Sequence, residues 1–189
     1  MLKILSTLIL KLSGWKIVDT TPKGVLNYPK AVMIAAPHTS NWDYYYTMAI
    51  IYKIGIPIRY LAKDSLFKFP LGIIIKSLGG IAVNRSQKNN LVNDMGEMIK
   101  NSQNPIQLIV PAEGTRSYSK EWKSGFYHIA IKAETPIILG FLDFKKKEGG
   151  FLNVFHPTGD YEKDLIEIKK QYLNVTPKHP EENSLKDFN

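Results

Sequence analysis

Residues 31–43 read Ala31-Val-Met-Ile-Ala-Ala-Pro-His-Thr-Ser-Asn-Trp-Asp43. A run of small and apolar residues stops at Pro37. From Asp43 to Lys53 apolar and aromatic residues recur at three- and four-residue spacing. The first run reads as a buried strand, Ala31 to Ala36, and the second as a helix, with His38 in the bend between them. On a regular helix the step from His38 to Asp43 would advance by roughly 500° and put the two side chains on different faces. A strand-to-helix bend can instead bring the Asp43 carboxylate against the imidazole. A carboxylate on one ring nitrogen fixes the tautomer and raises the basicity of the other nitrogen, which can then take a proton from a hydroxyl. The plainer reading of the same residues is a capping box of Ser40 and Asp43, with His38 an incidental loop residue.

The strand-then-helix pattern repeats outward in both directions. Ile56 to Ala62, Gly80 to Asn84, Ile106 to Pro111 and Pro136 to Phe144 read as further buried strands. Phe67 to Ser77, Leu91 to Asn101 and Phe126 to Ala133 carry helical spacing. Lys145 to Gly150 reads as a hairpin turn into a strand at Phe151 to Phe155, followed by a helix from Tyr161 to Tyr172. This alternation predicts an α/β fold, a largely parallel central sheet flanked by helices, with sites at the carboxyl ends of the strands. The expected organisation is one domain over 16–175, an N-terminal amphipathic helix at 1–15 that contacts membrane, and a frayed polar tail at 176–189.

The chain has 189 residues, a formal net charge of +8 and a pI near 9.4, a surface that attracts phosphates. Its 44% apolar and 22% charged residues are ordinary globular proportions. With no cysteine present, disulfides, thiolate nucleophiles and Cys-ligated metals are excluded for this chain. Residues 1–12 are mostly apolar but carry Lys3 and Lys11, too short and too charged a stretch for a spanning helix and suited to lying in a headgroup boundary. The alternative for that stretch is a helix packed on the domain's own core.

Two more strand ends carry charge. Glu113-Gly114-Thr115-Arg116 follows the apolar strand ending at Pro111, and offers close backbone approach at glycine, an ordering carboxylate, a hydroxyl and a forked cation for phosphate oxygens. Arg85 ends the strand that starts at Gly80, and Lys63 ends the strand Ile56 to Ala62. Alone, Glu113 to Arg116 reads equally well as a polar turn with a local Glu–Arg ion pair, and Arg85 and Lys63 are individually more often solvated surface charges; the fold predicts that they converge.

Four ordered blocks resemble the glycerolipid acyltransferases typified by bacterial 1-acylglycerol-3-phosphate acyltransferase. They are the His-x4-Asp block His38 to Asp43, the block Gly80-Ile-Ala-Val-Asn-Arg85, the block Glu113 to Arg116, and the hydrophobic-proline block beginning Thr135-Pro136. The resemblance spans roughly Val32 to Phe141. It implies a glycerolphosphate acyltransferase-like fold with His38 as general base and Asp43 as its partner. Lys63, Arg85, Glu113, Gly114, Thr115 and Arg116 would bind the acceptor's glycerol phosphate. It further implies acyl transfer from acyl-CoA or acyl-carrier protein to a lysophospholipid in phospholipid biosynthesis, with no metal and no cofactor besides the donor. The expected place is the cytoplasmic face of a membrane, peripheral or monotopic, on an anionic surface. Pro37, Trp42 and Ala112 depart from the common pattern and bear on the acceptor, because some relatives acylate other lysolipids such as lyso-ornithine lipid. Rival readings are a serine hydrolase using Ser40 or Ser117, which no Gly-x-Ser-x-Gly elbow supports, and a non-catalytic basic lipid-surface binder. No nucleic-acid motif is present.

Overall fold

In a computed structural model that describes residues 2–83 and 90–188, the run Ala-Val-Met-Ile forms the middle of a sheet. Its strand β2 (Lys30–Ala35) is flanked by β5 (Ile106–Pro111) and β6 (Ile137–Asp143), both parallel to it. Side chains alternate across the sheet with period two. Val32 and Ile34 enter one apolar core and Ala31 and Met33 the other. A strand buried on both faces reads as a continuous apolar run, which is why β2 and β6 are conspicuous in the sequence.

The remaining strands are β1 (Lys16–Asp19), β3 (Ile58–Lys63), β4 (Gly80–Val83) and β7 (Glu148–Phe155). Among the described residues they give one seven-stranded sheet in the order β1-β7-β6-β2-β5-β3-β4, parallel throughout except at the β6–β7 hairpin. The helices are α1 (Leu2–Ser13), α2 (Trp42–Ile54), α3 (Leu71–Ser77), α4 (Leu91–Asn101), α5 (Gly125–Ala133) and α6 (Tyr161–Lys170). Leu10 of α1 and Met48, Ile50 and Ile51 of α2 close one core, while α4, α5 and α6 close the other through Ile99, Phe126 and Ile168.

Most expected elements are present, and the differences have local causes. Strand β1 lies outside the sequence reading because four residues at the sheet margin carry little pattern. Helix α3 begins at Leu71 rather than Phe67, after a 3₁₀ turn over Asp64–Phe67 and Pro70, whose missing N–H suits the start of a helix and not its interior. Strand β7 begins at Glu148, and Gly149 and Gly150 lie within it. A side chain at Gly150 would collide with the Val18 carbonyl, so the close approach of β1 requires a glycine there.

The expected frayed tail at 176–189 is corrected. Ser184 and Leu185 are buried and Phe188 packs against the core that includes Ile168 and Tyr172. Sparse apolar residues among charges conceal an anchored segment, held by the burial of Leu185 and by the Ser184 hydroxyl bond to Glu113.

Candidate active site

The carboxyl ends of β2, β3, β5 and β6 share one edge of the sheet, since these strands run parallel. His38 stands in the bend after β2 and Asp43 in the first turn of α2. The Asp43 carboxylate oxygen Oδ2 lies 2.9 Å from His38 Nδ1 and accepts the backbone N–H groups of Thr39 and Ser40, each at 2.9 Å. Asp43 thus satisfies free amides of the bend, as half of a capping box would, and also holds the imidazole. The other half of the box is missing, because α2 starts after Asn41 with no side-chain cap bond, and His38 is no incidental loop residue. Asp43 is buried and the His38 side chain is 21% exposed. With Nδ1 donating to the carboxylate, Nε2 carries the lone pair and is the nitrogen left for a substrate. Neither Ser40 nor Ser117 bonds the ring among the described residues. Ser40 Oγ instead accepts the Trp42 N–H at 3.2 Å.

His38 borders a cleft of about 300 Å³ that Asn41, Tyr44, Tyr60, Pro111 and Arg116 help to line. The Tyr44 hydroxyl donates to the Tyr60 hydroxyl at 3.1 Å. Burial, followed by that hydrogen bond, raises the Tyr60 phenol above its ordinary range, so it stays a neutral hydroxyl. Neither tyrosine carries a sequence signal, because the pair forms only when α2 crosses β3.

The expected acceptor-binding residues divide. Arg116 is exposed and lines the cleft with His38. Lys63 ends β3 at the same sheet edge and is exposed, but does not line that cleft. Gly114 takes a left-handed backbone (φ 69), which lets the chain turn between Glu113 and Arg116. Thr115 is exposed and its hydroxyl accepts the Ser117 N–H at 3.3 Å, a local turn bond. Arg85 lies outside the described residues.

Glu113 faces inward. Its Oε1 accepts the His38 N–H at 3.3 Å and the Ser184 hydroxyl at 3.1 Å, and Ser184 Oγ accepts the Trp122 indole N–H at 2.8 Å. A second tail bond runs from the His179 N–H to Thr39 Oγ1 at 3.1 Å. The carboxylate therefore holds the histidine loop in place from behind, and the C-terminal segment holds the carboxylate. Sequence reasoning missed Ser184, and it placed Trp122 in a stretch resembling the family, Trp122 to Gly125, without giving it a role in the site.

Burial pushes the Glu113 carboxyl up from its ordinary value, against the pull of its own and the His38 backbone N–H groups and of the Ser184 hydroxyl. A carboxyl raised in the folded state binds its proton more tightly there. Its contribution to stability is therefore full below the ordinary carboxylate range and is lost as pH rises through its raised value. Glu113→Gln keeps an acceptor oxygen and removes the buried charge. The expected result is a flatter melting temperature between weakly acid and neutral pH, with acceptor KM unchanged, read by thermal melts and steady-state kinetics. An acceptor KM raised as much as by loss of Arg116 would return Glu113 to direct substrate contact.

The acyltransferase family profile matches residues 19–138, a span that holds both His38–Asp43 and Glu113–Arg116. An uncharacterized acyltransferase of Schizosaccharomyces pombe is 29% identical over 121 residues, 60% of this chain and 42% of that protein, so the chain spans less than half the length of this curated relative. The 1-acyl-sn-glycerophosphate (LPA) acyltransferase PlsC from Thermotoga maritima has a crystal structure that matches with a TM-score of 0.59 at 18% identity. That match covers 89% of this chain and 74% of PlsC, and shows a shared fold. With a profile match over well more than half of its length, the chain belongs to the acyltransferase family.

Proposed function

We propose that the protein moves a fatty acyl group from a thioester donor, acyl-CoA or acyl-carrier protein, to the free hydroxyl of a lysophospholipid, with 1-acylglycerol 3-phosphate as acceptor and phosphatidate as product. The reading rests on one observation above all: His38 Nδ1 is held at 2.9 Å by buried Asp43 while the ring borders a cleft shared with Arg116. The acceptor hydroxyl gives its proton to His38 Nε2 as its oxygen attacks the thioester carbonyl. The carbon–sulfur bond then breaks, and the imidazolium returns the proton to the departing thiolate. Asp43 stabilises the transient imidazolium, and no acyl-enzyme is needed.

Arg116 orients the acceptor through its phosphate, a forked, charge-assisted contact. Arg116→Ala is expected to raise acceptor KM on the order of tenfold and to change kcat less, in initial-rate measurements over a range of lysophosphatidate. An unchanged KM removes Arg116 from this role and favours an acceptor without a phosphate, of which lyso-ornithine lipid is the example.

The acceptor is a membrane lipid, and the proposed location is a cytoplasmic membrane face to which α1 attaches. No helix among the described residues is long and apolar enough to cross a membrane. Ser6 and Leu10 anchor α1 on the domain, while Ile4 and Leu12 remain 76% and 78% exposed, with Leu5 and Leu8 about half exposed between them. Lys3 and Lys11 supply charge toward anionic headgroups. The double variant Ile4→Asp/Leu8→Asp should reduce co-sedimentation with anionic vesicles at least ~10-fold, from the apolar area lost to lipid. Equal sedimentation rejects α1 as the attachment.

A further inference from the structure

A second concavity of about 710 Å³ lies beside the catalytic bend, in the size range of small-molecule sites, roughly 300–1,000 Å³. Its floor is aromatic. Trp15 stacks on Tyr46 at 4.3 Å between ring centroids, and Phe144 meets Trp15 edge-on at 5.0 Å. Its rim carries the exposed lysines Lys145, Lys147 and Lys178, and no carboxylate lines it among the described residues. Lys147 Nζ already donates to the Ser13 carbonyl at 3.1 Å, which leaves further N–H donors free, and Lys178 Nζ sits 5.7 Å over the Phe144 ring. At the end nearest the dyad stands Trp42, whose neighbour in sequence is Asp43 and whose side chain is largely exposed.

We propose that this groove holds the phosphorylated adenosine head of a coenzyme A thioester, with the base against Trp42 and the phosphates among Lys145, Lys147 and Lys178. The inference rests on the thioester reading given above. Sheet order supports it. From β2, which carries His38, the strands β5 and β3 lead to Arg116 and Lys63 on one side, and β6, β7 and β1 lead to this groove on the other. At about 4.8 Å per strand the groove begins roughly 5–15 Å along the edge from β2, within reach of an extended pantetheine arm. Acceptor and donor can then meet at His38 from opposite flanks without sharing a cation. Planar aromatic groups next to exposed ammonium groups suit a ligand that is both aromatic and anionic, which describes a nucleotide better than a lipid headgroup. A concave site suits a small molecule better than the face of a folded carrier protein.

The test measures binding of adenosine 3′,5′-bisphosphate and of free coenzyme A to the full chain by calorimetry and tryptophan fluorescence. Wild type is compared with Lys145→Glu/Lys178→Glu and with Trp42→Phe. Wild type should bind both ligands, more weakly at high salt. The lysine variant should lose at least ~10-fold in affinity and show an acyl-CoA KM raised by a similar factor, and Trp42→Phe should lose the ligand-induced quench. Both lysines are exposed, so an unchanged melting temperature serves as the control for folding. No nucleotide binding by wild type, or equal binding by the lysine variant, overturns the proposal. So does a variant whose only loss is adsorption to anionic vesicles or use of acyl-carrier protein. Because binding is read without turnover, nucleotide binding by a protein that transfers no acyl group rejects the reaction and keeps the groove. Acyl transfer without nucleotide binding does the reverse.

Discussion

His38→Ala should lower kcat for acyl transfer by about 10²–10⁴-fold while acceptor KM stays close to wild type. Among the described residues that line the cleft, the ring is the only group supplied with a basic lone pair and a buried carboxylate behind it. On the proposed mechanism its loss removes a proton acceptor that acts as the new bond forms, and leaves Arg116 in place at the cleft. The backbone N–H of residue 38 still reaches Glu113, so the loop keeps its bond from behind and the fold should persist. Steady-state kinetics with both substrates varied, alongside circular dichroism, decide the matter. A fall confined to KM would make the histidine a binding group and not the base.

Asp43 should give the other large effect, and two substitutions separate its two roles. Its Oδ2 serves the imidazole and two backbone amides in a buried setting. Asp43→Ala leaves two buried amides without an acceptor, at a cost of roughly 1–3 kcal/mol for each unsatisfied group, and should lower the urea midpoint as well as kcat. In Asp43→Asn the side-chain oxygen can still accept both amides, so most of the stability should remain. What is lost is the negative charge beside the imidazolium, and kcat should still fall by about 10²-fold or more. An Asp43→Asn protein with wild-type kcat would reduce Asp43 to a structural cap.

The pairing of His38 with Asp43 was legible in the sequence because local chemistry determines it. A histidine between an apolar strand and an aromatic helix, five positions before an aspartate, has few ways to place both side chains, and the bend brings them to 2.9 Å. The central strands were legible for a similar reason, because burial on both faces leaves an unbroken apolar run. Glu113 was harder. Its motif marks it as a site residue, but which way it faces is decided by Ser184, 71 positions later, in a segment whose charges suggest a loose tail. The Tyr44–Tyr60 pair and the lysine-rimmed groove are likewise products of packing between distant segments, α2 against β3 and the β6–β7 turn against the end of α1. Periodicity reports what a residue does within its own element, and these contacts lie between elements.

The most direct test of the account is product analysis by mass spectrometry. The purified protein in detergent is given lysophosphatidate and either an acyl-CoA mixture or acylated acyl-carrier protein, beside a folded His38→Ala control. The account predicts phosphatidate from wild type and a yield lower by about 10²-fold or more from the variant. Wild-type protein that acylates no lysolipid from either donor, or equal yields from the two proteins, would contradict it.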